Sequence, residues 1–247
     1  MSDNLRFKDK VALVTGAGSG IGRALALALA QEGASLILAA RSREKLSQAA
    51  GQAQPHAQNE ILVQPTDVSD RAQVEKLAAA AQQAFGGVDI LANCAGLGYG
   101  GPVLASDPAQ AEEMIRVNFY GLYLVTRLCL PLILARGGGD IVNIASVAGL
   151  KASPGFAVYS ASKYAVRGFT DSLRMELRDR GVRVLCVNPG MTQTAFFERF
   201  GSAPAPPQEG QRLMPPEHVA AAIVEALALP AATAVNELTI RPSWQER

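Results

Sequence analysis

Short apolar runs alternate with stretches of helical spacing along most of the chain. Val11 to Val14 enters a Gly-rich turn, and Arg23 to Ala30 continues as an Ala/Leu-rich helix ending near Gly33. The same alternation predicts strand Ser35 to Ala40, a polar helix from Ser42, strand Ile61 to Gln64, a helix over Arg71 to Ala84 and strand Val88 to Asn93. Beyond these come a long helix over roughly Ala109 to Ala135, strand Ile141 to Ala145, a helix over Ala157 to Asp179 and strand Val182 to Asn188. A last helix follows over Pro216 to Leu229, and Glu237 to Ile240 reads as an edge strand. Strands with helices between them pair in parallel. Runs that are apolar throughout, without alternation, belong to strands covered on both faces.

The prediction is therefore an α/β fold: one doubly wound, Rossmann-like parallel sheet with helices on both faces, in a single domain over 1–247. In such sheets ligands sit beyond the carboxyl ends of the strands, so chemistry is expected from Thr15, Ala40, Thr66, Asn93, Ala145 and Asn188 onward. Met191 to Pro216 is different, rich in Pro, Gly and Gln with weak periodicity, and reads as a long substrate loop or lid.

Composition narrows the function classes. With 49% hydrophobic residues, 18% charged residues and a net charge of +1, the chain is not a disordered polyelectrolyte. No dense Lys/Arg block marks nucleic acid or an anionic membrane surface; a small, mostly neutral substrate fits this balance. Met1 to Lys10 lacks the apolar core of a secretory signal, so a cytoplasmic location is expected. Leu122 to Ala135 reads as a buried helix too short to span a membrane. Cys94, Cys129 and Cys186 are widely separated and read as reduced core residues. His56 and His218 lack neighbouring acids at ligand spacing, so no metal site is expected.

The turn after the first strand, Thr15 to Gly22, has the glycines that let backbone approach a pyrophosphate, with Gly16, Ser19, Gly20 and Ile21 as the contacts. A Gly-rich turn alone is a weak signal; its place between the first strand and first helix strengthens it. The second strand ends Ala39-Ala40-Arg41-Ser42 without the acid that would bond an NAD ribose, and Arg41 can instead pair a 2′-phosphate. NADP is thus preferred over NAD; the alternative is a solvated Arg opening a helix. Asp67 and Val68 follow the third strand, where they can meet an adenine, although Asp67 fits a helix cap equally well.

Tyr159 and Lys163 stand four apart in a predicted helix and share a face. A free phenol has a pKa of roughly 10 and needs a nearby cation to act as a base near neutrality. Such a pair is common by chance. Ser146, closing a strand thirteen residues before Tyr159, adds a hydroxyl that can polarise a carbonyl, or merely a turn cap.

Together these residues resemble the short-chain dehydrogenase/reductase family in its compact single-domain branch. The matching positions are Thr15 to Gly22, Asn93-Cys94-Ala95-Gly96, Asn118, Ser146, the Tyr159 to Lys163 segment, and Asn188-Pro189-Gly190 followed by Thr192 and Thr194. Cys94 replaces the family's second Asn in its loop. The resemblance implies an oxidoreductase moving a hydride between NADP(H) and a small or medium carbonyl or secondary alcohol. Tyr159 is then the general acid/base and Ser146 binds the substrate oxygen. Lys163 binds the nicotinamide ribose and lowers the phenol pKa; Asn118 holds a water beyond it. Asn93, Ala95 and Gly96 contact cofactor, and Pro189, Gly190, Thr192 and Thr194 hold its carboxamide and pyrophosphate. For Asn118 the bland alternative is a buried amide bonding nearby backbone.

The substrate pocket is expected among Leu97 to Pro102, Leu150 to Phe156 and Met191 to Pro216, with Tyr99, Phe156, Phe196, Phe197 and Phe200 as candidate lining. No clustered basic residues point to a strongly anionic substrate. The helix from Val117 to Ala135 is apolar around much of its circumference, which, with the resemblance, implies a homodimer or homotetramer. Other classes are a cofactor-binding regulatory or scaffold protein without turnover, and a nucleotide-sugar epimerase, for which the region after Gly190 is short.

Overall fold

A computed structural model describes residues 5–56, 60–196 and 211–245. Seven strands form one sheet: β1 (Val11–Thr15), β2 (Ser35–Ala40), β3 (Ile61–Pro65), β4 (Ile90–Asn93), β5 (Gly139–Ile144), β6 (Val182–Pro189) and β7 (Glu237–Ile240). They lie in the order β3-β2-β1-β4-β5-β6-β7, and every pair is parallel. The expected doubly wound sheet is present, with its edge strand β7. Strand order reverses between β1 and β4, and the crevice there is where such sheets bind ligands.

Successive strand residues point to opposite faces. Ala12, Val14, Leu36 and Leu38 therefore pack against helices α1 (Gly20–Gln31), α2 (Arg43–Ala53) and α7 (Pro216–Leu227). Their neighbours Val11, Leu13, Ile37 and Ala39 face α3 (Arg71–Phe85), α5 (Leu122–Leu134) and α6 (Ala157–Leu177). Two apolar clusters result, which explains why the central strands carry no polar stripe. β4 starts later than the expected Val88. There the Asp89 carboxylate accepts from Val11 N–H at 2.9 Å and from Lys10 Nζ at 3.1 Å.

The helix expected over 109–135 is not uniform. It comprises α4 (Pro108–Ile115), a wider π-type turn over Arg116–Gly121, and α5. The turn carries Asn118 and brings Gly121 against Val68, where a Cβ on Gly121 would come within 2.7 Å of Val68 Cγ2. Taken as one run, Pro108–Leu134 has 27 residues and is long and apolar enough to cross a membrane. The shortness inferred from Leu122 onward does not hold. Packing decides instead: Leu124, Val125, Cys129 and Ile133 are buried against the sheet, and the run also buries Asn118 and Thr126.

The long segment after β6 is drawn together at its base. Thr192 and Met214 form a parallel bridge, with Gln193 N–H donating to the Met214 carbonyl at 2.8 Å. Phe197 and Phe200 lie outside the described residues.

Candidate active site

The carboxyl ends of β1 and β4 open onto a cavity of about 770 Å³ that runs from the glycine turn to the Tyr159 helix and the chain's last described residues. Gly16, Ser19, Gly20 and Ile21 line one end, as expected. Gly16 has φ +66°, and a Cβ there would lie 2.9 Å from Ala95 N. A side chain would thus push the turn off the β4 loop. Thr15 Oγ1 ties the same two segments by accepting from Cys94 N at 3.1 Å and Ala95 N at 3.2 Å. Ser19 begins α1 in extended conformation with no side-chain cap, so the helix's first N–H groups face the cavity. A shallow cradle of glycines ending in an uncapped helix N-terminus fits a dinucleotide pyrophosphate.

Beside this cradle lie Arg41, Asp67 and Val68. Arg41 is half exposed and its guanidinium stands 3.7 Å from the Glu113 carboxylate. Glu113 in turn accepts from Tyr99 Oη at 2.7 Å. Asp67 does not cap α3. Asp70 does that, accepting from Ala72 N and Gln73 N, while Asp67 accepts from Ser69 N and Oγ at 2.9 and 2.7 Å. Ala95 and Gly96 line the cavity, but the Asn93 side chain does not. It points into the scaffold, donating to Thr126 Oγ1 at 3.0 Å and Asn143 Oδ1 at 2.9 Å, so its expected cofactor contact is corrected to a structural tie between β4, β5 and α5.

At the other end, Ser146, Tyr159 and Lys163 line the wall together. Ser146 follows β5 and its Oγ accepts from Ala148 N at 3.1 Å. It therefore caps a 3₁₀ turn on the same wall as Tyr159. Tyr159 and Lys163 are buried on one face of α6, with Lys163 Nζ 5.9 Å from the Tyr159 ring centroid and donating to the Ile144 carbonyl at 2.9 Å. Burial pushes the Tyr159 phenol up to about 12, against the lowering by Ser146. Burial also pushes the Lys163 ammonium down to about 8. Desolvation therefore sets the phenol here, and the expected lowering by Lys163 is not seen. Phe196 packs 5.3 Å from the Tyr159 ring, and Phe156 completes the wall. Tyr99 lies away from it, toward Glu113.

Asn118 stands behind the wall. Its Oδ1 accepts from Leu97 N at 2.8 Å and its Nδ2 donates to the Leu97 carbonyl at 2.8 Å and Ser162 Oγ at 3.0 Å. The side chain thus clamps backbone, the bland alternative for a buried amide. The clamp holds Gly96 beside Lys163: a Cβ on Gly96 would lie 3.5 Å from Nζ. Cys94, the departure from the expected loop, is half-buried, and desolvation pushes its thiol up to about 12, so it stays a neutral thiol near neutral pH. Pro189, Gly190, Thr192 and Thr194 line the cavity between the two ends. Sequence reasoning placed Lys151 only within an expected pocket segment, without singling it out, and did not foresee Lys45, Arg241 or Gln245 on the wall. No local motif marks them.

The sequence model of the short chain dehydrogenase family matches residues 10–204. The chain belongs to this family. Among short-chain dehydrogenase relatives, an uncharacterized oxidoreductase of Staphylococcus aureus strain USA300 is 40% identical over 234 residues, covering 95% of this chain and 97% of the relative. One from Staphylococcus haemolyticus is 37% identical over 235 residues, 94% and 97% of the two chains. An alcohol dehydrogenase from the archaeon Thermococcus sibiricus, solved with 5-hydroxy-NADP, superposes with TM-score 0.88 at 32% identity, covering 96% and 98% of the two chains. A 3-ketoacyl-(acyl-carrier-protein) reductase from Brucella melitensis, solved with NADH, gives 0.86 at 30% identity over 96% and 98%. The short-chain dehydrogenase fold and its nucleotide-binding crevice are therefore common ground between this chain and proteins solved with either dinucleotide type.

Proposed function

We propose that the chain is an NADP(H)-dependent reductase or dehydrogenase of a small or medium carbonyl or secondary alcohol, organised as a single catalytic domain. The observation that carries this reading is the convergence of Ser146, Tyr159 and Lys163 on the wall of the cavity that holds the phosphate cradle, with Lys163 Nζ 5.9 Å from the Tyr159 ring centroid. In reduction, Ser146 holds the carbonyl oxygen and Tyr159 Oη donates its proton there. A buried phenol at about 12 is kept protonated for this role. In oxidation Tyr159 accepts that proton, and the Lys163 cation then favours the phenolate. The bound nicotinamide supplies or accepts the hydride. Lys163 also reaches the ribose, while Asn118 positions Leu97 and Gly96 around it.

Arg41 supports a 2′-phosphate at the adenosine end, where the described cavity wall offers Asp67 as its one carboxylate, already engaged with Ser69. Ile115, Tyr120 and Tyr123 along α4 and α5, with Tyr164 and Met175 on α6, are large exposed apolar or aromatic side chains that support a homodimer or homotetramer. The test is a panel of aldehydes, ketones and secondary alcohols assayed with NADPH and NADH side by side. Turnover with the higher kcat/KM for NADPH is expected. Tight NADPH binding without turnover of any compound would leave a cofactor-binding regulatory protein instead.

A further inference from the structure

The charged residues on the described cavity wall divide into two groups. Arg41, Lys45 and Asp67 belong to the adenosine end, next to the phosphate cradle. Lys151 follows the turn that Ser146 caps, and Arg241 follows β7, whose Ile240 pairs with Pro189 of β6 next to the end of β5 that leads into Ser146; no described acid accompanies them on the wall. Both are exposed, and among the described residues neither takes part in an ion pair. They stand ninety positions apart in the chain, so no basic cluster is visible before folding.

Both are held where they are by backbone. Lys151 follows the 3₁₀ turn that begins at Ser146. Its N–H donates to the Val147 carbonyl at 3.0 Å, the preceding Leu150 carbonyl accepts from Tyr164 Oη at 2.7 Å, and the Gly149 carbonyl accepts from Arg167 at 3.1 Å. Arg241 is carried past the Pro189-Gly190 turn by two ties. Gly190 N–H donates to the Ile240 carbonyl at 2.8 Å, and Met191 N–H donates to Gln245 Oε1 at 2.9 Å. The Arg241 stem crosses Gly190 so closely that a Cβ there would lie 2.7 Å from its Cγ. Glycine at 190 leaves the room that this arginine uses.

We propose that Lys151 and Arg241 form an anion subsite and that the natural substrate is a carbonyl compound or alcohol bearing an acid group, a carboxylate or a phosphate. The assignment of a substrate class rests on the reductase reading above. On the reductase reading the cofactor's phosphates are met by the glycine turn, Arg41 and the Thr192 to Thr194 segment, so an anion beside Ser146 comes from the substrate. A guanidinium and an ammonium without ion-pair partners among the described residues, both on the wall of a partly apolar cavity, attract an acid group and orient it. The reaction itself adds hydride, supplied by NADPH, to the carbonyl carbon and the Tyr159 proton to its oxygen; the acid group is unchanged.

The test compares 3-oxobutanoate and 4-oxopentanoate with their methyl esters, and dihydroxyacetone phosphate with dihydroxyacetone, using the wild type and the Lys151→Gln/Arg241→Gln double variant. Calorimetric binding of hexanoate against hexanamide runs beside it. In the wild type an acid should exceed its neutral partner in kcat/KM by about tenfold or more, and the double variant should lower that ratio about tenfold. The carboxylate and phosphate arms identify which acid is used. Equal use of acid and neutral partner, a ratio unchanged in the variant, or an equal rise in the KM for NADPH overturns the subsite. If no carbonyl is turned over yet hexanoate binds more tightly than hexanamide and loses that advantage in the variant, the subsite stands and the reductase reading fails. If neither turnover nor selective binding is seen, both fall.

Discussion

The two ends of the cavity are built to different standards. At the catalytic end Ser146, Tyr159 and Lys163 are buried, with Ser146 and Lys163 hydrogen bonded to backbone and the Tyr159 ring packed against Phe196. At the adenosine end Arg41 has a side chain 53% exposed and rests 3.7 Å from a carboxylate that is itself part exposed. Proton transfer needs fixed geometry and low dielectric, which only burial provides. Choosing between two cofactors that differ by one phosphate needs only a charge at a reachable distance. The chemistry should therefore be hard to alter by single substitutions without loss, and the cofactor preference easy.

Tyr159→Phe breaks the catalytic end most directly. It removes one oxygen and leaves the ring against Phe196, so turnover should fall by about 10²–10⁴ while NADPH binding, read by fluorescence titration, is retained. Turnover within a few-fold of wild type would dismiss Tyr159 as the acid/base.

Lys163→Met separates function from stability at the same end. Burial holds the ammonium at about 8, below its ordinary 10.5, so the folded state binds fewer protons than the unfolded chain between those values. Stability is reduced below about pH 8 by this group, and the penalty is relieved as pH rises from about 8 to 10.5. At pH 7 the desolvation costs about 3 kcal/mol, offset in part by the Ile144 carbonyl bond. The variant should lose turnover yet unfold at a higher temperature at pH 7, with its advantage shrinking toward pH 10. A melting temperature below wild type at pH 7 would show that Lys163 stabilises the fold.

The same contrast separates what was legible in the sequence from what was not. The strands and the site motifs follow from local patterns: apolar runs for strands buried on both faces, glycines where β1 meets the β4 loop, and a Tyr–Lys pair at helical spacing. The π-type turn at Asn118 was not legible, because 3.6-residue periodicity does not distinguish one widened turn. Asn93 and Asp67 were misjudged in detail, because which way a polar side chain at a strand end points depends on partners such as Thr126 and Ser69 that only the packed fold supplies. Arg241 and Gln245 were not legible for a further reason. They reach the cavity from the segment after the last strand, ninety residues from Lys151, and only the packed sheet brings the two segments to one cavity.

Arg41→Asp sharpens the adenosine end. It replaces the cation with a like charge to the 2′-phosphate and offers the NAD ribose an acceptor. The ratio of kcat/KM for NADPH to that for NADH should fall by about tenfold or more, with kcat for the preferred cofactor little changed. An unaltered ratio would move the discriminator elsewhere, and Lys45 on the same wall would be the next residue to substitute.

The smallest expected effect concerns Glu113. Its carboxylate accepts from Tyr99 Oη at 2.7 Å and stands 3.7 Å from Arg41, so it competes with any phosphate for that guanidinium. An exposed pair of this kind is worth about 0–1 kcal/mol, which sets the ceiling for the change. Glu113→Gln keeps an acceptor for Tyr99 and removes the charge, so affinity for NADPH should rise by up to about fivefold while affinity for NADH stays level. Raising the salt concentration should narrow the gap between variant and wild type, because both the ion pair and the phosphate contact are exposed to screening. A gain shared equally by NADH would mean that Glu113 acts through Tyr99 and the β4 loop, not through the charge of Arg41.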